Sequence, residues 1–470
     1  MEIIKNTTER PSPEKIEAFE TALRGELIRP EDENYEDARA IYNAMIDKRP
    51  GFIAQCENVA DVIASVDFAR ENKLLLAIRG GGHSAPGFGT CEGGLVIDLS
   101  KMKGIRVDPE NLTVRVEPGC TWGEVDHATN AFGLATVSGV ISTTGVGGLT
   151  LGGGIGHLDR KYGLTIDNLL EVDVVLADGR FVTANAEKNE DLFWALRGGG
   201  GNFGVVTSFK FKLHPVDTIM GGPTLWPLEQ APEVLRWYRK FMTKEAPEDL
   251  NGFFAFLEVP PGPPFPEELH NKKMCGIVWC YTGPKEKTDE VFAPVLKVGS
   301  PAMHGVHEMP YPALQSAFDA LLPKGLQHYW KADFITEISD EAIEEHMKYA
   351  EVPNLLSTMH LYPINGVSHR VDKNDTAWSY REANWGMVIA GITDDPSENG
   401  HIQTWVKNYW EAIHPHSSGG GYVNMMGEGD EGRIKASYRD NYDRLVEIKT
   451  KYDPENLFRV NQNIKPKNNA

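Results

Sequence analysis

The sequence predicts a mixed α and β protein folded as two lobes, and three observations carry that expectation. At 470 residues the chain is long for a single core. Residues 52–56, 59–70 and 74–78 read as strand, helix and strand, the helix placing Val59, Val62, Ile63, Val66 and Ala69 on one face. After Pro215 the texture changes: glycines thin, prolines gather at Pro260-Pro261-Gly262-Pro263-Pro264, and strands such as 276–281 alternate with helices such as 340–349. That change marks a second domain running to about Pro415.

The elements follow in order. Ser12 with Pro13 at the first helical position starts a peripheral helix, and Gly25 offers its stop. The strand–helix–strand unit delivers the turn Arg79-Gly80-Gly81-Gly82-His83-Ser84 at the C-terminal edge of its second strand, where open α/β sheets place ligands. Residues 95–98 form a short buried strand, and 104–108 and 112–116 form a hairpin. Thr121 caps a helix reaching about Phe132 and closed by Gly133. The tract 139–156 is too rich in glycine for a stable helix or an ordinary strand, since each glycine costs roughly 1 kcal/mol in backbone entropy. Its interleaved Val, Ile and Leu are equally wrong for a solvated linker. Residues 169–176 and 180–183 pair around Asp178-Gly179. A short helix over 191–197 then leads through Gly198-Gly199-Gly200-Gly201-Asn202-Phe203-Gly204 into a strand over 205–213. Residues 441–452 form the last helix, and the apolar tail 453–459 packs back onto the protein.

Composition narrows the function. Lys and Arg total 47 against 67 Asp and Glu, a net charge of −20 that would repel nucleic acid and anionic membrane surfaces. Residues 1–11 hold no apolar segment of the signal type and no apolar run approaches bilayer length, so a soluble cytoplasmic protein is expected. The 5 cysteines are scattered, and Cys275 and Cys280 point to opposite faces of one strand, which predicts neither disulfide nor metal site. A monomer or small homo-oligomer is the expected assembly.

Three consecutive glycines at Gly80 to Gly82 remove every Cβ from one side of a turn, so backbone N–H groups can close on a charged or planar ligand. His83 follows at once. Alone, the stretch reads equally as a cofactor site in which the histidine meets the cofactor ring, or as a strand-exit turn with a satisfied histidine.

Taken together, the motifs resemble the FAD-linked oxidases of the vanillyl-alcohol oxidase (PCMH-type) superfamily, in its berberine-bridge-enzyme-like branch and bacterial type. The resemblance rests on the Arg79 to Ser84 turn; the Gly145-Val-Gly-Gly148 and Gly152-Gly-Gly154 tract leading to Tyr162-Gly-Leu-Thr165 and Asp167-Asn168; the run from Asp191 to Gly204; Tyr422-Val-Asn424; and the tail from Tyr452 to Arg459 with Asn461-Gln-Asn463-Ile464. It implies an α+β fold: a two-lobed PCMH-type FAD-binding domain with an inserted substrate domain of antiparallel sheet covered by helices. The boundaries are 1–215 for the FAD-binding part (core about 45–215), 216–415 for the substrate domain, and 416–470 for a berberine-bridge-like segment returning to the FAD domain.

The resemblance implies FAD bonded covalently through His83, with Arg79, Gly80, Gly81, Gly82 and Ser84 cradling the pyrophosphate. It extends the cofactor contacts to Gly139, Thr144, Gly145, Gly148, Gly152, Gly153, Gly154, Gly204, Val205, Val206, Tyr422, Asn424, Asn461 and Asn463. Two departures matter. Where many relatives carry the cysteine of a Gly-Val-Cys pattern, this chain reads Gly139-Val140-Ile141, so a single covalent link is expected; and Leu149 stands where a histidine often follows.

For chemistry, a hydride must reach the flavin and a base must take the proton. Alignment of Thr376 to Arg381 places Arg370 near the position of the plant glutamate base, and bacterial relatives instead use a tyrosine like Tyr422. A free tyrosine titrates near about 10, so Tyr422 would need a nearby cation or the flavin locus to act as base; it reads equally as a packed strand tyrosine. Asn424 and Asn461 would hold the flavin or the tyrosine. Thr144 and Val146 would leave room for O2 at the flavin face. Tyr281, Trp330, Lys331, Arg370 and Tyr380, with Tyr329, His360 and Tyr362, are the substrate candidates. The expected activity is an oxidase taking a hydride from an alcohol, sugar or related small molecule and reducing O2 to H2O2; a dehydrogenase with another acceptor and a flavin-binding protein without catalysis are the alternatives.

Overall fold

The computed structural model describes residues 11–427 and 431–467. Residues 1–10 of the stretch read for a signal segment lie outside the described residues. The first helix, Pro13–Ala22, is capped by Ser12 and packs on the helix Val59–Glu71 over a small four-stranded sheet. That sheet runs Glu26–Ile28, Phe52–Gln55, Leu95–Asp98, Leu76–Arg79. The two strands of the predicted strand–helix–strand unit are not neighbours: Leu95–Asp98 lies between them, parallel to both. On the helix, Val59 and Ile63 are half-buried, while Asp61, Ser65 and Phe68 join the buried face. Asp61 earns its place by accepting the N–H groups of Arg24, Gly25 and Glu57.

A second, five-stranded antiparallel sheet follows the order Ile105–Asp108, Thr113–Val116, Val205–Lys212, Leu169–Val175, Phe181–Asn185. It buries Phe209 and Phe211 against Trp122 of the helix Trp122–Asn130, whose Thr121 and Glu124 form a reciprocal capping box. The third, eight-stranded antiparallel sheet is built from Thr218–Pro227, Leu250–Glu258, Lys273–Tyr281, Gln327–Ile335, Thr358–Pro363 and Trp385–Thr393, with Met303–His304 and His307–Pro310 at one edge. One face is covered by helices, among them Ala231–Lys240 and Asn399–Ile413. The other face turns toward the first two sheets. All 5 cysteines are free and buried, Cys275 and Cys280 in different core clusters on opposite faces of their strand. No helix among the described residues is long and apolar enough to cross a membrane.

One expectation is overturned within the glycine tract: Val146–Leu151 is helical. Tertiary contacts override the unfavourable propensity. Val146 and Thr150 are completely buried, Phe209 lies beneath Gly147, and the tract is stitched to its neighbours by Trp122 N–H to Thr144 C=O (2.9 Å) and Val146 N–H to Cys120 C=O (3.0 Å).

Candidate active site

The three glycine turns converge on one side of a cavity of about 340 Å³, and the free face of the eight-stranded sheet forms the other side. Arg79, the last residue of its strand, sits opposite Asp98 in register and pairs with it at 2.8 Å, both side chains buried. This pair fixes the strand end from which Gly80, Gly81, Gly82 and His83 emerge. A Cβ on Gly81 would lie 2.6 Å from the backbone of Gly145, so the first two turns touch through bare backbone. The third turn is clasped onto the helix end, because Gly198 and Gly200 both donate to the Leu151 carbonyl (3.1 and 2.9 Å).

The C-terminal segment closes this wall. Lys449, fully buried, donates to the Asn202 and Phe458 carbonyls (each 2.8 Å) and to Asp453 (2.6 Å), while Asn461 Nδ2 donates to the Gly201 carbonyl (3.1 Å). Lys449 carries no sequence signal, since a lysine in a helix reads as a surface residue.

His83 opens into the cavity with its ring stacked on Tyr42, centroids 3.8 Å apart. Loss of solvent holds its pKa down to about 4, against a smaller opposing pull from the Thr143 carbonyl, so the imidazole is neutral. Tyr42 also tilts against His328, at 5.0 Å. Asn43 grips the backbone of His328 on both sides, donating to its carbonyl (3.0 Å) and accepting its N–H (2.9 Å). Both ring nitrogens of His328 are buried without a partner, and burial lowers its pKa to about 3. Sequence reasoning missed Tyr42 and His328; neither falls in a recognisable pattern.

On the sheet wall, strand alternation decides which side chains face inward. His328 and Trp330 of Gln327–Ile335 line the cavity, as do Thr358, His360 and Tyr362 of Thr358–Pro363. His360 Nδ1 and Tyr362 Oη are hydrogen-bonded at 2.6 Å. Burial drives His360 down to about 3 and raises Tyr362 above the ordinary phenol range. Tyr422 reaches the cavity from the C-terminal side. Its oxygen accepts Gly154 N–H (2.9 Å) and Asn424 Nδ2–H (2.8 Å). Burial still pushes its pKa up to about 12, and the acting groups are Asn424, backbone N–H groups and the carboxyl of Asp159, with no cation among them. The expected lowering by a neighbouring cation is therefore absent from these groups.

Of the predicted cofactor residues, Arg79, Gly80, Gly81, Gly82, His83, Ser84, Gly139, Thr144, Gly145, Gly148, Gly204, Val206, Tyr422, Asn424 and Asn461 lie on the cavity wall. Gly152, Gly153, Gly154, Val205 and Asn463 do not. Gly152 packs on Asn424, Gly153 on Trp378 and Gly154 on Thr165, and Val205 points into the core beneath the first sheet. Val146, expected at the flavin face, is in the core with Trp122 and Phe209. Among the substrate candidates, Trp330, His360 and Tyr362 face the cavity and the others are corrections. Tyr329 and Lys331 alternate onto the helix-covered face, where the Lys331 ammonium sits over Trp410. Tyr281 packs in the same cluster with its hydroxyl on the Pro284 carbonyl. Tyr380 stacks on Phe334 and donates to the Ala436 carbonyl. Arg370 is exposed and paired with Glu248.

The residues fit FAD. A slot walled by bare glycine backbone suits a planar ring and pyrophosphate; a Cβ on Gly148 or Gly201 would meet no protein atom, although both lie on this wall. The buried Arg79 Nη1 has no protein partner, and neither do Asn461 Oδ1 or Gln462 Nε2.

Residues 50–185 match the model of the FAD binding domain, and 421–465 that of berberine and berberine-like proteins. An FAD-linked oxidoreductase of Dictyostelium discoideum is 33% identical over 96% of this chain and 97% of its own. The FAD-linked oxidoreductase YgaK of Bacillus subtilis (strain 168) is 32% identical over 95% and 98%. Among solved structures, 6-hydroxy-D-nicotine oxidase from Arthrobacter nicotinovorans superposes with a TM-score of 0.83 at 25% identity, covering 94% of this chain and 98% of that one. Carbohydrate oxidase from Microdochium nivale gives 0.84 at 23% identity over 96% and 99%, a likeness of fold.

Proposed function

The chain belongs to the FAD-linked oxidoreductases of the berberine-bridge-enzyme-like branch, and from that premise we propose that it is an oxidase acting on a small alcohol or related molecule, with O2 as electron acceptor. FAD, when bound, supplies the electron sink that takes the substrate hydride. The glycine turns and Arg79 would hold its phosphates, and His83, neutral and open to the cavity, would carry the covalent link. Ile141 lines the cavity without a nucleophile, and Cys91 and Cys120 lie off its wall with thiols pushed up to about 12, so His83 would be the sole attachment. Tyr422 would take the substrate's hydroxyl proton on its Oη, where two N–H donors favour the phenolate against burial. Asn424 orients that phenol.

The observation that carries this reading is the meeting of His83 and Tyr422 in one cavity, from turns more than three hundred residues apart in the chain. The likeness to 6-hydroxy-D-nicotine oxidase supports the oxidase half. The test is anaerobic mixing of the loaded protein with a panel of alcohols and sugars, followed by air in a stopped-flow mixer. Bleaching by at least one compound and recovery of the yellow spectrum within seconds is expected. Recovery over minutes would contradict O2 as the acceptor.

A further inference from the structure

The two cavity walls differ in what they offer a ligand. On the glycine side Arg79 is the one formally charged lining residue among the described residues, and Asp98 neutralises it at 2.8 Å. The sheet side presents His328, Trp330, Thr358, His360 and Tyr362 with an aliphatic strand beside them. None is an acid, an amide, a lysine or an arginine. Burial keeps both histidines neutral at ordinary pH.

We propose that this cavity selects an uncharged substrate with a flat apolar body and a single hydroxyl, held by the His360–Tyr362 pair. The inference rests on the oxidase reading above and narrows its substrate. An ionised carboxylate or ammonium entering here would lose its water and meet, among the described lining residues, no charge but Arg79, which Asp98 already neutralises, so both are rejected. The body is read from strand alternation: Val388, Ala390 and Ile392 lay an apolar track along Trp385–Thr393, and Trp330 stands opposite Ala390 in register. The hydroxyl is read from the pair at 2.6 Å. With Nδ1–H donating to the Tyr362 oxygen, the phenol is free to donate to the substrate oxygen, which leaves the hydroxyl's own proton for Tyr422. That tautomer serves one hydroxyl. A sugar presents many; beside the pair, the described residues of the sheet wall offer only the His328 ring nitrogens and the Trp330 indole N–H as unpartnered polar groups, with no carboxylate or amide among them.

The experiment is calorimetric titration of the holoenzyme, held reduced and anaerobic so that no turnover occurs. The probes share one shape and differ in charge: 2-naphthylmethanol, 2-naphthoate and 2-naphthylmethylamine, with cellobiose as the polyhydroxylated neutral. The alcohol is expected to bind on the order of tenfold or more tighter than each of the others. Equal or tighter binding of either ion or of cellobiose overturns the inference, as does failure of all four to bind. Tyr362→Phe should weaken 2-naphthylmethanol several-fold and leave 2-methylnaphthalene unchanged; equal weakening of both overturns the hydroxyl anchor. If the alcohol binds as expected but no compound ever bleaches the oxidised flavin, the substrate class stands and the oxidase reading falls.

Discussion

At Tyr422 two opposing effects act on one phenol. Gly154 N–H and Asn424 Nδ2–H both stabilise the phenolate, and complete burial opposes them more strongly, leaving the pKa at about 12. A base of this kind is mostly protonated near neutrality, so turnover should still be rising at the alkaline end of the accessible pH range. Tyr422→Phe should remove that rise and lower kcat on the order of a hundredfold or more, with flavin still bound. A variant retaining the rise and most of kcat would shift the proton acceptor elsewhere. At this scale His83 was legible because its turn has a local pattern, a glycine run ending a strand. Trp330 lines the cavity and Lys331 lies on the opposite face for one reason, alternation, which cannot be phased without knowing which face of the sheet is covered. Arg370 followed from an alignment, and the structure puts it outside, against Glu248.

Among the elements before Pro215, the strands and hairpins over 52–56, 74–78, 95–98, 104–116 and 169–183 and the helix capped by Thr121 were legible from period and turn residues, since Thr121, Gly133 and Gly179 carry their signals locally. The helix Val146–Leu151 was not, because its stability comes from Cys120, Trp122 and Phe209, which are remote in sequence. That helix makes a discriminating test. Gly148→Ala adds a methyl that meets no protein atom, so thermal stability without flavin should hold or rise, while flavin loading falls on the order of tenfold because the methyl enters the cofactor slot. Gly81→Ala places its methyl 2.6 Å from the Gly145 backbone and should lower both stability and loading. Melting curves and flavin-to-protein ratios read the pair; normal loading in Gly148→Ala would show that the ring does not pass that wall.

For the whole molecule, burial sets a pH dependence. His83, His157 and His214 titrate at about 4, and His328, His346 and His360 at about 3. In the unfolded chain they would titrate near about 6.5. Between those values the unfolded chain binds more protons, so stability is fully present above pH of about 6.5 and is lost as pH falls toward 3. Asp126, raised to about 7, and Asp159 and Asp333, also raised, act in the opposite direction, and the histidines outnumber them. The melting temperature should therefore drop steadily from pH of about 6.5 to 4; a flat or rising profile would show that the carboxyls dominate. The two-lobed arrangement itself was legible from length, texture and motif order. The clamp between lobes was not: Asn43 bonded to the His328 backbone and Arg381 paired with Asp167 at 2.7 Å depend on pairs far apart in the chain.

Residue, element and whole molecule meet at the His83 turn. The direct measurement is acid precipitation of the flavin-loaded protein followed by peptide mass mapping. The yellow colour should stay in the pellet, on the single peptide that contains His83, and His83→Ala should release it to the supernatant while Cys91→Ser and Cys120→Ser leave it bound. Flavin found free from the intact protein, or on any other peptide, would contradict the account.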